Sequence, residues 1–209
     1  MKPEQIEQKS FEIIDKEAGN HHFSPGQWPI VRRMIHTSAD FEYMESIRFH
    51  PEAVRAGINA IRQGRTIFTD TNMLRTGVRQ RDLDRFDTLA KCLMADPKVA
   101  RMAADKGATR AKVAVDAAAD EMAGGIYAVG NAPTALLRLI ELIKAGKAVP
   151  ALVIGLPVGF VNAAESKAAL LEVDIPYITN VGRKGGSNVA ASVVNALILL
   201  ALEEAKNKD

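Results

Sequence analysis

Apolar positions along this chain fall into two alternating kinds of segment, which predicts strands alternating with helices. Short apolar runs bounded by glycine or proline indicate buried strands, whereas longer segments with an apolar residue every three or four positions indicate helices. The runs that predict strands are 66–69, 89–94, 126–129, 151–154 and 175–179. The segments that predict helices are 1–18, 30–37, 51–63, 96–106, 135–145, 165–172 and a long final one from 189 onward.

This alternation predicts the fold class. Strands joined by helices imply right-handed crossovers and a mainly parallel sheet with helices on both faces. The sequence contains no internal repeat, low-complexity tract or linker. We therefore expect a single domain over residues 1–209, with a three-layer α/β architecture and a doubly wound sheet.

Composition narrows the possible partners. The 209 residues include 27 basic and 25 acidic side chains, a net charge of +2, and only 5% aromatics. Nucleic acid is not expected, because its binding usually requires a clustered basic face or stacking aromatics. Cys92 is the sole cysteine, which excludes an internal disulfide. The polar start of the chain does not resemble a signal peptide, and the apolar run 193–202 is too short to span a bilayer, so we expect a cytoplasmic protein without a membrane segment.

The candidate for chemistry is a polar stripe around His36. Arg33, His36, Thr37 and Asp40 have the spacing i, i+3, i+4 and i+7, which would align them along one face of a helix. An imidazole beside a guanidinium, a hydroxyl and a carboxylate is suited to proton transfer, although a lone helical histidine can also be structural. No His-x-x-x-His or Glu-x-x-His spacing occurs, so no protein metal site is expected.

Three glycine-bearing segments predict an anion-binding edge. Segments 129–134, 155–166 and 182–188 each follow a predicted strand and precede a helix, so they belong at the carboxyl edge of the sheet. Helix N-termini there offer free amide groups for carboxylate or phosphate, and Arg183 and Lys184 add positive charge. Each segment alone is also consistent with a simple turn and cap. None matches the dinucleotide or P-loop pattern, so a nucleotide is not favoured.

Five motifs in the same order resemble the precorrin-8X methylmutase family. They are Arg-Met-Ile-His-Thr-Ser-Ala-Asp-Phe from residue 33, Thr-Asp-Thr-Asn-Met from 69, Gly-Asn-Ala-Pro-Thr-Ala-Leu from 130, Gly-Leu-Pro-Val-Gly-Phe-Val-Asn-Ala-Ala-Glu-Ser-Lys from 155 and Gly-Arg-Lys-Gly-Gly-Ser-Asn from 182. The resemblance implies a homodimeric isomerase of cobalamin biosynthesis with a flavodoxin-like sheet. Such an enzyme moves a methyl group from C-11 to C-12 of a contracted tetrapyrrole.

The resemblance also implies roles for particular residues. His36 corresponds to the essential histidine, and we expect it to act as a general acid that protonates the ring and later recovers the proton. The migration is intramolecular, so no cofactor is required. The His-Thr-x-Ala-Asp-Phe form, Lys184 and Asn188 are similar to the branch whose substrate carries cobalt. The residues expected to orient the imidazole or bind substrate are Ser10, Arg33, Thr37, Asp40, Thr69, Thr71, Asn131, Thr134, Pro157, Val158, Phe160, Ser166, Arg183, Lys184, Gly185, Gly186, Ser187 and Asn188.

Several alternatives remain open from sequence. Ser10 has the position of a hydroxyl that bonds a carbonyl of its own helix, and Glu165 has the position of a helix cap as well as of a ligand contact. A corrinoid carrier without chemistry would account for the same binding loops. A nucleotide-dependent oxidoreductase of doubly wound fold would need a glycine fingerprint that the sequence lacks.

Overall fold

The computed structural model describes the backbone of residues 3–207, so Met1, Lys2, Lys208 and Asp209 lie outside it, including the first two residues of the predicted N-terminal helix. The helices are α1 Pro3–Ala18, α2 Trp28–Ser38, α3 Tyr43–Ser46, α4 Ala53–Arg62, α5 Asn72–Gly77, α6 Gln80–Leu83, α7 Pro97–Asp105, α8 Arg110–Ala118, α9 Pro133–Lys144, α10 Ala163–Leu171 and α11 Ser187–Lys206. The strands are β1 Ile47–Phe49, β2 Ile67–Thr69, β3 Ala90–Lys91, β4 Ile126–Val129, β5 Leu152–Gly155 and β6 Tyr177–Asn180.

The strands form a six-stranded sheet in the order β1-β6-β5-β4-β2-β3. Neighbours pair in parallel except β1, which runs antiparallel to β6 with Ile47 opposite Asn180. The five parallel strands, counted along the chain, lie in the order second, first, third, fourth, fifth. That is the flavodoxin-like order, so the predicted doubly wound class is confirmed.

Alternation along the strands divides the core between the two faces of the sheet. On β4, Ile126 and Ala128 join a cluster with α2, α4, α5 and α11, whereas Tyr127 and Val129 join a second cluster with α8, α9 and α10. Successive strand residues point to opposite faces, so each short apolar run supplies both layers. A strand buried on both faces reads as continuously apolar, which is why these runs were visible in the sequence.

Helix α11 is the central helix of the first layer. By length and composition it is apolar enough to cross a membrane, but more than half of its apolar stretch is buried inside the fold. It packs against α2, α4 and α5. Its apolar character is therefore that of a core helix surrounded by protein.

Some elements differ from the sequence prediction. The pattern missed edge strand β1 and helices α3, α5, α6 and α8, and the predicted strand 89–94 contains only Ala90–Lys91. Two or three paired residues at a sheet edge leave little periodicity to detect. In α1, whose Ile6, Ile13 and Ile14 the sequence predicts to share one apolar face, only Ile14 of these three is buried, while Ile6 and Ile13 are exposed.

Candidate functional site

His36 lies on the exposed side of α2, at the rim of a cleft over α11. Its imidazole is exposed and packs beside the Phe11 ring at 5.1 Å between centroids. Between residues 3 and 207, no hydrogen bond occupies either imidazole nitrogen. The cleft has a volume of about 250 Å³ and is lined by Arg33, His36, Thr37, Gly77, Asn188, Ala191, Ser192 and Asn195. Both ring nitrogens are therefore available to a bound molecule.

The polar stripe predicted on α2 is shorter than the spacing suggested. The helix ends at Ser38, and Ala39 adopts a left-handed conformation with φ of 53°. Asp40 therefore leaves the face that carries His36, and its carboxylate accepts a 2.5 Å hydrogen bond from Lys184. That bond holds the pKa of Asp40 below its ordinary value. The expectation that Asp40 continues the helical stripe was wrong, because spacing alone does not show where a helix stops.

Arg33 is held by the N-terminal helix. Its guanidinium donates a 3.1 Å hydrogen bond to Glu7 and lies 5.1 Å from the centroid of the Phe11 ring. Phe11 also contacts His36. Helix α1 thus orders the cation and the imidazole from the same side of the cleft.

The three glycine-bearing segments lie at one edge of the sheet and meet at the start of α11. The Gly186 amide donates to the Leu156 carbonyl at 2.9 Å, and the Gly159 amide donates to the Arg183 carbonyl at 3.2 Å. The hydroxyls of Thr71 and Ser187 share a 2.9 Å hydrogen bond. These contacts bring the ends of β2, β5 and β6 to the N-terminus of the helix that forms the floor of the His36 cleft.

Two glycines allow this convergence. A Cβ on Gly130 would lie 2.6 Å from the Ser187 Cα. The chain directly after β4 can therefore approach the start of α11 only because residue 130 has no side chain. Gly185 has a φ of +156°, and a Cβ there would overlap the Leu156 carbonyl. Gly130 and Gly185, of which Gly185 was predicted to contact substrate, therefore allow these loops to pack closely.

Asp70 occupies the point where the strand order reverses. Its buried carboxylate accepts hydrogen bonds from the amides of Gly130, Asn131 and Ala132 at 2.9, 2.8 and 2.7 Å. Burial raises the pKa of this carboxyl, and the backbone hydrogen bonds oppose that shift. These are the amides that a nucleotide phosphate would use in a doubly wound fold. Because Asp70 already accepts hydrogen bonds from them, these three amides are not free to bind an anion.

Lys167 is a second residue whose importance the sequence did not show. It is 1% exposed, and its ammonium donates to the Lys184 carbonyl at 2.6 Å and to Asn180 Oδ1 at 3.1 Å. Burial lowers the pKa of this ammonium to about 8. It therefore fastens the 182–188 segment from beneath. Its place in the Glu-Ser-Lys motif was the only signal available in the sequence.

The residues predicted to contact substrate include both buried and exposed side chains. Thr69 and Ser166 are buried, and their hydroxyls donate to backbone carbonyls: Thr69 to those of Thr71 and Lys91, and Ser166 to that of Ala163. Both hydroxyls are thus bonded within the fold, and their predicted contact with substrate stays a prediction. Pro157, Gly186 and Ser187 are also buried. The exposed members are Thr37, Asn131, Val158, Phe160, Arg183, Lys184 and Asn188.

Three further predicted residues lie away from the imidazole or bond within their own helix. Ser10 donates to the Ile6 carbonyl at 2.9 Å, which is the intrahelical alternative considered for it. Thr134 shares a 3.3 Å hydrogen bond with Thr109, which precedes α8. Both residues belong to the helical layer on the other face of the sheet from α2. Glu165 is exposed in the first turn of α10 and lines a separate apolar pocket beside Val181.

The 155–166 segment presents an apolar surface next to a cation. Phe160 is 84% exposed, and the Arg183 guanidinium lies 5.5 Å from the centroid of its ring. Val158 and Val161 are exposed beside it. A flat ring with acidic substituents would find an apolar contact and a positive charge together here.

These features define a doubly wound α/β protein with a ligand site over the carboxyl edge of its strands, containing one exposed imidazole and several donors for anions. The family model for precorrin-8X methylmutase matches residues 5–200. The chain belongs to the precorrin-8X methylmutase family. It is accordingly an isomerase of cobalamin biosynthesis, and its family implies a tetrapyrrole precorrin as substrate.

Individual relatives agree with this assignment. The chain is 50% identical over 201 residues to the cobalt-precorrin-8 methylmutase of Priestia megaterium, covering 96% of this chain and 89% of the relative. It is 42% identical over 204 residues to the protein of that name from Salmonella typhimurium, covering 94% of each. The crystal structure of a precorrin-8X methyl mutase from Thermus thermophilus superposes with a TM-score of 0.90 at 48% identity, covering 96% of this chain and 97% of that one. The carrier alternative finds no support among these relatives, which are named as mutases.

Proposed function

We propose that this chain moves a methyl group from C-11 to C-12 of cobalt-precorrin-8 and that His36 is its general acid. The observation that carries the proposal is the exposed imidazole with two free nitrogens, at a cleft whose floor is the first part of α11. The anion-binding segments converge on the N-terminus of that same helix. A macrocycle held by those segments would lie within reach of His36.

The chemical step requires a movable proton. Migration of a methyl group within a conjugated ring redistributes charge over the ring, so protonation of a ring nitrogen lowers the barrier. His36 donates that proton as the methyl leaves C-11 and recovers it once the methyl is bonded to C-12. General acid catalysis of this kind contributes ~10²–10⁴-fold to the rate. Arg33, fixed by Glu7, binds the ring periphery beside the imidazole.

Binding depends on the exposed residues around the cleft. Arg183, Lys184 and the amides that open α11 bind acetate and propionate groups, because cations and helix N-termini both favour carboxylates. Val158 and Phe160 pack against the face of the macrocycle. Thr37, Asn131 and Asn188 supply polar contacts at its margin. Buried Thr69, Ser166 and Ser187 and half-buried Thr71 hold these groups in place.

The cobalt-loaded substrate is preferred in this proposal. Relatives at 50%, 42% and 41% identity are named cobalt-precorrin-8 methylmutases. The Thermus thermophilus structure, at 48% identity, is named precorrin-8X methyl mutase, so the preference rests on these names together with particular residues. Lys184 and Asn188, which are similar to the cobalt branch, lie at the site. Equal specificity constants on cobalt-loaded and metal-free precursor would contradict this preference.

The proposal includes a cytoplasmic homodimer built from one domain per chain. Exposed apolar side chains near the site, Val161 at 77% and Val181 at 50%, support contact with a second copy. The two larger core clusters pack on opposite faces of one sheet, which supports a single domain. Light scattering coupled to size-exclusion chromatography tests the dimer, and a monomeric mass at working concentration would contradict it.

Turnover without additions tests the proposed reaction. The purified protein is mixed with cobalt-precorrin-8 and no cofactor, and the visible spectrum is followed to completion. Methyl migration lengthens the conjugated system, so absorption should shift and a new isomer should be isolated. A spectral change saturating at one ring per protein, with the precursor recovered unchanged, would refute it.

A further inference from the structure

An arginine-rich cleft is formed by the segment that follows α5. It is lined by Arg79, Gln80, Arg81, Asp82 and Arg85, and its volume is about 530 Å³. Three guanidiniums and one carboxylate give it a formal charge of +2. None of the five motifs includes this segment, and the reaction proposed above does not use it.

The charges in this cleft are only partly neutralised. The Arg79 guanidinium pairs with Asp82. Gln80 donates to Asp84, which lies on the same short segment. Within the described part of the chain, Arg81 and Arg85 form neither an ion pair nor a hydrogen bond, and both are exposed. Two free planar guanidiniums on one segment suit bidentate binding of carboxylate groups.

A single residue joins this cleft to the catalytic one. Asn195 of α11 lines the His36 cleft. Its side-chain oxygen accepts a 2.9 Å hydrogen bond from the Arg79 amide, and its side-chain nitrogen donates to the Gly77 carbonyl at 2.9 Å. The start of the arginine segment is therefore anchored directly to the wall of the His36 cleft.

We propose that Arg81 and Arg85 form a carboxylate-binding subsite for the outer side chains of the tetrapyrrole, beside the cleft that contains His36. This inference rests on the proposed function for the identity of the ligand. The subsite lies on the α5–α6 side of α11, opposite the Lys184 side. The acidic fringe of the ring is thus bound at two places, and the ring spans the imidazole between them.

Equilibrium binding tests the subsite without requiring turnover. The double variant Arg81→Gln/Arg85→Gln is titrated with cobyrinate at low and high salt, and binding is followed by visible absorption. Its matched control is Arg65→Gln/Lys144→Gln, which removes the same charge from two exposed residues at the opposite edge of the sheet. We expect about tenfold weaker binding by the double variant at low salt, with the difference shrinking at high salt. The control should bind like the wild type.

Three outcomes of the binding experiment would contradict the subsite. Wild-type affinity in the double variant, or an equal loss in the control, would overturn the subsite. Failure of the wild type to bind cobyrinate would overturn it too. A wild type that binds cobyrinate but does not rearrange the precursor would refute the methylmutase proposal, while the subsite would still be decided by the affinities. Since both arginines are exposed, loss of folding is not expected to obscure the comparison.

Discussion

Lys184 and Asp40, 144 residues apart in sequence, are joined by a hydrogen bond of 2.5 Å between the ammonium and the Oδ2 atom. Lys184 also pairs with Glu42 at 2.8 Å. The bond links the segment after β6 to the chain just beyond the His36 helix. It therefore ties the segment proposed to bind carboxylates to the end of the helix that carries His36.

The first prediction concerns this ion pair and acid. Since Lys184 lowers the pKa of Asp40, the pair stabilises the fold above the ordinary pKa of the carboxyl, and the effect is lost as pH falls through its lower folded value. Wild type should therefore be slightly more stable than Lys184→Met near neutral pH, and the two should converge in acid. Urea unfolding across that range measures the difference. A gap that stays constant into acid would show that the pair is not its cause.

The second prediction concerns Lys167 and alkaline pH. Its pKa of about 8 in the folded protein lies below the ordinary 10.5, so the unfolded chain binds more protons between these values. Wild type should gain stability relative to Lys167→Met as pH rises from 8 to 10.5, by on the order of 3 kcal/mol. Denaturant unfolding of both proteins measures the gain. Parallel stability curves would contradict a buried ammonium whose hydrogen-bond partners are neutral oxygens.

The third prediction concerns the close approach of two loops. Gly185→Ala should destabilise the fold by about 1–3 kcal/mol, because its Cβ would overlap the Leu156 carbonyl, which belongs to the backbone and yields little. Gly182→Ala is the matched control: it also has a positive φ, but nothing lies within 4 Å of its added Cβ. Thermal unfolding should rank Gly185→Ala below Gly182→Ala. Equal losses would mean that backbone conformation alone determines the cost.

The sequence predicted the central parallel strands well and the edge strand β1 poorly. Runs 126–129 and 151–154 marked strands within one residue, because parallel strands buried on both faces are continuously apolar. Strand β1 was missed since its three residues alternate between buried Ile47 and exposed Arg48. A three-residue edge strand is too short for its alternation of apolar and polar residues to be recognised in the sequence.

The site shows the same division. The exposure of His36 and the meeting of the glycine-bearing segments follow from local pattern and strand order. The roles of Asp70 and Lys167 do not, because each depends on backbone groups far along the chain, at 130–132 and at Lys184 respectively. Asp40 was placed on the helix by its spacing alone. The left-handed conformation of Ala39 ends the helix before it, and spacing does not show that conformation.

Rate measurement on His36→Asn tests the central claim most directly. The variant should fold and bind the ring normally, since the side chain is exposed and forms no hydrogen bond within residues 3–207. Followed by visible absorption on cobalt-precorrin-8, its single-turnover rate should fall ~10²–10⁴-fold below that of the wild type. An undiminished rate in the folded variant would contradict a proton delivered by His36.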